Sequence, residues 1–252
     1  MIQEAGLVVA HDEIEGFERL IISAPTFAHR ARPGHFVALR RDVQIHDPLL
    51  RIPLAIAEAE AERGTIVAVR RMDDRPALRV GDSIDLLGPL GSGWTLSDQM
   101  RNLLLIGTTE HVGALLFLAR SATKRACNVT LLIGDHDAGT PLPATMLPAT
   151  VEYEFARGPD AATAVLELVQ PALMRWADAL FTTLPVDAYS ALAARIQATR
   201  LRWERGFAQG ILLPPMACYL GICDSCLVPE ARRPWRACVD GPQCDVRDFV
   251  RV

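Results

Sequence analysis

The stretch Asn102–Gly134, NLLLIGTTEHVGALLFLARSATKRACNVTLLIG, decides the fold class. NLLLIG (102–107) is short and wholly apolar, as a strand covered on both faces must be. VGALLFLARSATKR (112–125) follows with helical character, and NVTLLIG (128–134) returns to strand. A strand, a helix and a second strand in about 30 residues make a βαβ unit, so a parallel sheet with right-handed crossovers is predicted here. Weaker alternation continues through VEYEFA (151–156), AATAVLELV (161–169), DALFTT (178–183) and AYSALAARI (188–196). After about residue 200 no regular pattern is predicted.

Upstream the rhythm differs. LIISAP (20–25), HFVALR (35–40), TIVAVRR (65–71) and SIDLLG (83–88) are aliphatic or β-branched runs. Pro33-Gly34, Gly81-Asp82 and Gly88-Pro89 punctuate them, as turns between strands of a small barrel or sandwich do. The whole reads as an α+β multidomain chain: an antiparallel barrel over 1–98, an α/β unit over 99–200, and a tail over 201–252.

Composition limits the function classes. The chain has 252 residues, 26 basic and 30 acidic, for a formal charge of −4. That balance argues against nucleic-acid binding through a general phosphate-attracting field. Half the residues are hydrophobic, enough for packed cores. No apolar run approaches the roughly 20 residues that span a bilayer. The acidic start MIQEAGLVVAHDEIEG shows no signal peptide, so a cytoplasmic protein is expected.

Five of the six cysteines fall in the tail: Cys218, Cys223, Cys226, Cys238 and Cys244. Bunched thiols in a reducing compartment point to metal or redox chemistry rather than disulfides. MACYLGICDSCLVPEARRPWRAC (216–238) has the spacing C-x4-C-x2-C-x11-C. Four thiolates suit a soft metal centre, and this run is that of plant-type [2Fe–2S] loops. The predicted metal ligands are therefore Cys218, Cys223, Cys226 and Cys238. A zinc cage from the pairs Cys223/Cys226 and Cys238/Cys244 is the alternative. Trp235 is read as a possible shield for the centre, and Arg232-Arg233 as a solvated pair. No catalytic residue is assigned; His111 is read as capping or flanking the helix that starts near Val112.

The segments MACYLGICDSC and RACVDGPQCD resemble the C-terminal cluster loop of the electron-transfer subunit of class 1B dihydroorotate dehydrogenase. PGHFVAL (33–39), DPLLRIPLAI (47–56), Gly64-Thr65 and LLGPLGSGW (86–94) are similar to other parts of that family. The resemblance implies a ferredoxin-reductase-like architecture: flavin barrel, nucleotide-domain-like unit, cluster tail. It implies FAD contacts at Arg51, Pro53, Leu54, Ala55, Gly64 and Thr65. It also implies a hetero-oligomer in which a catalytic flavoprotein subunit exchanges electrons with this chain through [2Fe–2S] and FAD.

Some positions depart from the family pattern. Its Arg-x-x-Ser flavin motif aligns with Ile52-Pro53-Leu54-Ala55, leaving Arg51 one position early. Its glycine-rich phosphate turn becomes Gly107-Thr108-Thr109-Glu110-His111-Val112-Gly113-Ala114. Its Cys-Gly-Pro-x-Pro-Met becomes Thr183-Leu184-Pro185-Val186-Asp187-Ala188. Glu110 places a carboxylate where an anionic ligand belongs, so NAD(H) is expected to bind poorly or not at all. The leading expectation is an electron-transfer subunit. The alternatives are an NAD(H)-dependent flavin/iron–sulfur reductase and a non-catalytic iron–sulfur assembly or sensor subunit without flavin.

Overall fold

The computed structural model describes residues 2–41, 50–72, 78–200 and 202–250. Asp47-Pro48-Leu49 of the flavin-like segment lies outside the described residues. Strands β1 (Ile2–Ile14), β2 (Phe17–Ser23), β3 (Phe36–Arg41), β4 (Ile52–Glu60), β5 (Thr65–Arg71) and β6 (Ser83–Leu90) close an antiparallel barrel in the order β1-β2-β5-β4-β3-β6. A short helix, α1 (Pro25–Arg30), follows β2. The expected runs at 35–40, 65–71 and 83–88 fall on β3, β5 and β6; β2 begins three residues before the run expected at Leu20.

Two barrel strands carry sequences with weak strand signals. β1 keeps Gly6 and Val8 buried among charged and half-exposed neighbours. It is a strand because it pairs on both sides, with β2 and with β6, and so seals the barrel. β4 contains Ala57-Glu58-Ala59-Glu60, residues of good helix propensity. Tertiary pairing overrides that preference: Glu58 lies opposite Val67 and Glu60 opposite Thr65.

The second half is a six-stranded sheet in the order β12-β11-β10-β7-β8-β9. Its elements are β7 (Asn102–Thr108), α2 (Val112–Thr123), β8 (Asn128–His136), β9 (Val151–Gly158), α3 (Ala161–Leu168), α4 (Pro171–Trp176), β10 (Ala179–Thr182), α5 (Tyr189–Thr199), β11 (Ala208–Ile211) and β12 (Gln243–Asp245). β7, β8, β9, β10 and β11 run parallel, and only β12 is antiparallel. β7 and β8 are buried on both faces, as their apolar runs require. The edge strand β9 alternates, exposing Glu152 and Glu154, which discourages pairing with another chain.

The expectation that regular structure stops near residue 200 is corrected here. β11 and β12 extend the sheet from the tail, so the cysteine segment is tied to the α/β unit at both ends. Both strands are four residues or shorter, too brief to announce themselves by periodicity.

Helix α2 joins the halves. Val112, Leu115 and Leu116 share one core with Ala55, Ala57, Val67 and Val69 of the barrel and with Leu103 and Leu105 of β7. Among the described residues no helix is long and apolar enough to cross a membrane.

Candidate metal centre and the crevice beside it

Four tail cysteines are drawn together by two local devices. The first is the loop Cys218–Cys223. Tyr219, Gly221 and Asp224 take left-handed backbone angles, with φ of 58°, 73° and 54°. Gly221 adopts this region at no Cβ cost; Tyr219 and Asp224 are held there by the surrounding loop. The turns point backbone N–H groups inward. Leu220 N donates to Cys218 Sγ at 3.3 Å. N–H donation from Leu220, Ile222 and Cys223 lowers the Cys218 thiol to about 6, favouring its thiolate. Ser225 Oγ lies 3.2 Å from Cys223 Sγ and accepts from Ala217 N at 3.0 Å.

The second device is a small hairpin. Ala237 N donates to Cys226 O at 3.1 Å, and Val228 N to Trp235 O at 3.0 Å. This antiparallel pairing brings Cys238 beside Cys226 across eleven intervening residues. Burial pushes the Cys238 thiol up to about 12, with contact from Cys226 in the same direction.

Cys223 adds to the N–H donors in lowering Cys218, and Cys226 adds to burial in raising Cys238, so Cys218 stands near Cys223 and Cys238 near Cys226. Cys238 also feels the charge of Cys218, so the loop and the hairpin are neighbours. Among the described residues no group of three or more His, Cys, Asp or Glu side chains closes on a single metal ion. Four thiolates shared between one loop and one hairpin suit a two-iron centre, in which each iron takes two of them. Cys244 is not in the group. It lies on β12, 3.7 Å from the Tyr189 hydroxyl, and burial pushes its thiol up to about 12.

Trp235 is buried behind the hairpin, edge-on to Phe249 with centroids 5.2 Å apart. Arg232 is not simply solvated, as the sequence suggested. Its guanidinium donates to Val250 O at 2.8 and 3.2 Å and ties the hairpin to that residue. Leu220, Ile222, Leu227 and Val239 form an exposed apolar rim around the cysteines, Ile222 being 77 % exposed.

Tyr219 was not singled out by sequence reasoning. It occupies the position after the first cysteine. The side chain is fully buried against Phe36, with ring centroids 6.4 Å apart. Its hydroxyl donates to Arg51 O at 3.1 Å, linking the cysteine loop to the barrel.

The residues expected to hold FAD are not all brought together. Arg51 sits just ahead of β4, whose first four residues include Pro53, Leu54 and Ala55. The Arg51 guanidinium is already engaged: it donates to Ala38 O at 3.3 Å, Asp85 O at 3.0 Å and Asp85 Oδ2 at 2.5 Å. Pro53 pairs with Ala38 in the barrel, and Leu54 and Ala55 are buried. Gly64 and Thr65 lie at the β4–β5 hairpin, with Thr65 opposite Glu60. At about 3.3 Å per residue that is roughly 17 Å along the strand from Ala55. A cation paired with Asp85 does not offer a pyrophosphate its bidentate contact, and Ala55 has no hydroxyl. These positions do not fit FAD in the manner the resemblance implies.

A crevice opens at the carboxyl ends of β7, β8 and β10, where ligands of open α/β sheets bind. One lobe, about 280 Å³, is walled by Thr183, Leu184, Val186 and the Ile211–Pro215 segment that leads into the cysteine loop. The other, about 360 Å³, is walled by Arg70, Arg71, Asp135, His136 and Asp160. Thr108, Glu110 and Pro185 border both. The cleft residues Arg70, Arg71, Asp135 and Asp160 were missed from sequence; an Arg-Arg pair ending one strand run and an Asp-His ending another were the available signals. His111 stands at the N-cap position of α2 and makes no capping hydrogen bond with its side chain.

The glycines of the segment after β7 serve packing. A Cβ on Gly107 would lie 2.2 Å from Thr183 Oγ1; one on Gly113 would lie 3.0 Å from Val69 O and 3.2 Å from Ala55 O. Neither is placed to let a phosphate approach backbone N–H groups, and Glu110 stands at the entry to α2. The segment does not fit the pyrophosphate of NAD(H).

Comparison with known proteins gives a consistent picture. No protein-family profile matches the chain. A protein of Shouchella clausii (strain KSM-K16), named dihydroorotate dehydrogenase B (NAD(+)), electron transfer subunit, is 29% identical over 257 aligned positions, covering 96% of this chain and 94% of that protein. The electron transfer subunit homolog of Thermotoga maritima is 27% identical, covering 88% and 79%. Among solved structures, a chain of the NADH-dependent reduced ferredoxin-NADP oxidoreductase superposes with a TM-score of 0.75 at 22% identity, covering 97% of this chain and 89% of that one. The ferredoxin reductase of carbazole 1,9a-dioxygenase superposes with a TM-score of 0.63 at 14% identity, covering 79% and 66%. Along nearly its whole length, then, the chain is similar to dihydroorotate dehydrogenase B electron transfer subunits, and its fold is that of ferredoxin reductases.

Proposed function

We propose that this chain is an electron-transfer subunit whose tail holds a [2Fe–2S] cluster on Cys218, Cys223, Cys226 and Cys238. The observation that carries the reading is the gathering of these four cysteines on one N–H-lined loop and one short hairpin beneath an exposed apolar rim. When bound, such a cluster takes up and releases one electron at a time. The chain's own residues do the rest. Leu220, Ile222 and Cys223 direct N–H groups at the Cys218 sulfur, a hydrogen-bonding pattern that tunes potential. Trp235 and Tyr219 pack behind the loop and keep water from its inner side.

The partner is a catalytic flavoprotein subunit of the dihydroorotate dehydrogenase type, docking on Leu220, Ile222, Leu227 and Val239. An apolar patch rimmed by polar side chains suits such a contact. Here the rim includes the Arg236–Asp224 ion pair. In this reading residues 1–98 form the barrel unit, 99–200 the α/β unit and 201–252 the cluster segment, the last anchored by β11 and β12.

A second reading, an iron–sulfur subunit without its own flavin, is favoured by the Arg51–Asp85 pair and by Ala55. Anaerobic purification with iron, sulfide and flavin quantitation separates the two. Iron and sulfide with flavin support relay through FAD; iron and sulfide alone support the second reading. Cys226→Ser should abolish the cluster bands, and Cys244→Ser should leave them intact. Ile222→Asp should release the catalytic subunit on co-purification.

A further inference from the structure

The crevice has lost its fit to a dinucleotide, yet it has not been filled in. A phosphate site needs uncommitted cations or helix N–H groups. Arg71 is held by both oxygens of Asp135, at 2.6 and 2.5 Å, and Arg70 pairs with Glu18. The N-terminus of α3 is already capped: Asp160 Oδ2 accepts from Thr163 N at 2.6 Å. The first turn before α2 carries the Glu110 carboxylate, 79 % exposed, whose contact with His111 Nε2 is a long 3.9 Å. Arg70, Arg71, Asp135 and Asp160 are thus all engaged within the protein, while the Glu110 carboxylate bordering both lobes is exposed.

The apolar lobe has the opposite character. Leu184, Val186, Ile211, Leu213 and Pro214 give it a hydrocarbon wall. Its 280 Å³ lies at the low end for small-molecule sites, enough for one ring rather than several. Thr183, 3 % exposed, belongs to that wall, and its hydroxyl has no hydrogen-bond partner. That oxygen is packed against Gly107, so the lobe presents a hydrocarbon wall and the polar group at its mouth is the Glu110 carboxylate.

We infer that this crevice binds a phosphate-free ligand: a ring-sized apolar body in the lobe formed by Thr183–Val186 and Ile211–Pro215, with a neutral or cationic hydrogen-bonding head group turned toward Glu110. Anionic ligands of the same shape are disfavoured by that carboxylate. The inference stands on the crevice alone and does not depend on the cluster.

Benzamidine, benzamide and benzoate test it, because they share one shape and differ in charge. Calorimetric titration of the full chain near neutral pH should rank them benzamidine, benzamide, benzoate, in steps of about threefold for an exposed charge. NADH should show no saturation at micromolar concentration. Glu110→Gln, a surface change, should remove the preference of benzamidine over benzamide. Val186→Trp should fill the lobe and abolish binding of all three while leaving the unfolding midpoint unchanged. Benzoate binding as tightly as benzamidine, an undiminished preference in Glu110→Gln, saturation by none of the three probes, or saturation by micromolar NADH would each overturn the inference.

Discussion

Replacing Arg71 by methionine should destabilise the fold more than replacing Asp135 by asparagine. The two side chains form an ion pair between the barrel and the α/β unit. Asp135 lies near the end of β8, 2 % exposed, with Arg71 Nη1 2.6 and 2.5 Å from its two oxygens. His136 N adds a third donor at 2.8 Å. The carboxylate fits because residue 139 is glycine; a Cβ there would lie 2.2 Å from its Cγ. Arg71→Met strands this carboxylate with one backbone donor. Removing one partner of a buried pair costs about 3–5 kcal/mol. The Arg71 side chain is 36 % exposed, so water screens the pair, and about 2–3 kcal/mol is expected. Asp135→Asn keeps the shape and an acceptor oxygen, so its cost should be about 1 kcal/mol. The double variant should cost less than the sum by about 1–2 kcal/mol, because the groups are in contact. Urea unfolding of the full chain measures all three. An Arg71→Met variant within about 0.5 kcal/mol of the parent, or no more costly than Asp135→Asn, would refute the reasoning.

Gly241→Ala should destabilise by about 1–3 kcal/mol through overpacking, since its Cβ would meet Trp235 Cζ2 at 2.2 Å; faster iron release should accompany the loss. Glu4→Ala should cost about 1 kcal/mol by urea midpoint, because the Glu4 carboxylate accepts from Thr26 N and Phe27 N and caps α1 from a distance. For Asp85, burial acts upward, but hydrogen bonds from Arg51 and Gln3 and the charges of Arg51 and Arg40 prevail and hold it below the usual carboxylate range. Its stabilisation is then complete above the unfolded value of about 3.9 and lost as pH falls through the lowered value. Asp85→Asn should flatten the acid limb of a stability-versus-pH profile in that range; parallel profiles would contradict the assignment.

The sequence was most informative where burial is uniform or spacing is strict. β7, α2 and β8 follow directly from apolar runs covered on both faces, and the cysteine spacing marked the tail as the place to look for a metal centre. β1 was obscure because a barrel strand packs one face unevenly and leaves His11, Asp12 and Glu13 among its residues. β4 was not read as a strand, and its second half, alternating Ala and Glu, favours helix until Val67 and Thr65 lie opposite. β11 and β12 owe their existence to an existing sheet edge rather than to local preference. At the site, the commitment of Arg51 to Asp85 depends on a partner 34 positions away, which no local motif discloses. The same holds for Arg71 and Asp135, 64 positions apart.

Mössbauer and electron paramagnetic resonance spectra of anaerobically purified, iron-enriched protein, with metal and sulfide assays, bear most directly on the tail thiols. The account predicts equal iron and acid-labile sulfide, about two of each per chain, and a spin-half signal on one-electron reduction. Stoichiometric zinc without sulfide, or iron and sulfide that survive replacement of both Cys226 and Cys238 by serine, would contradict it.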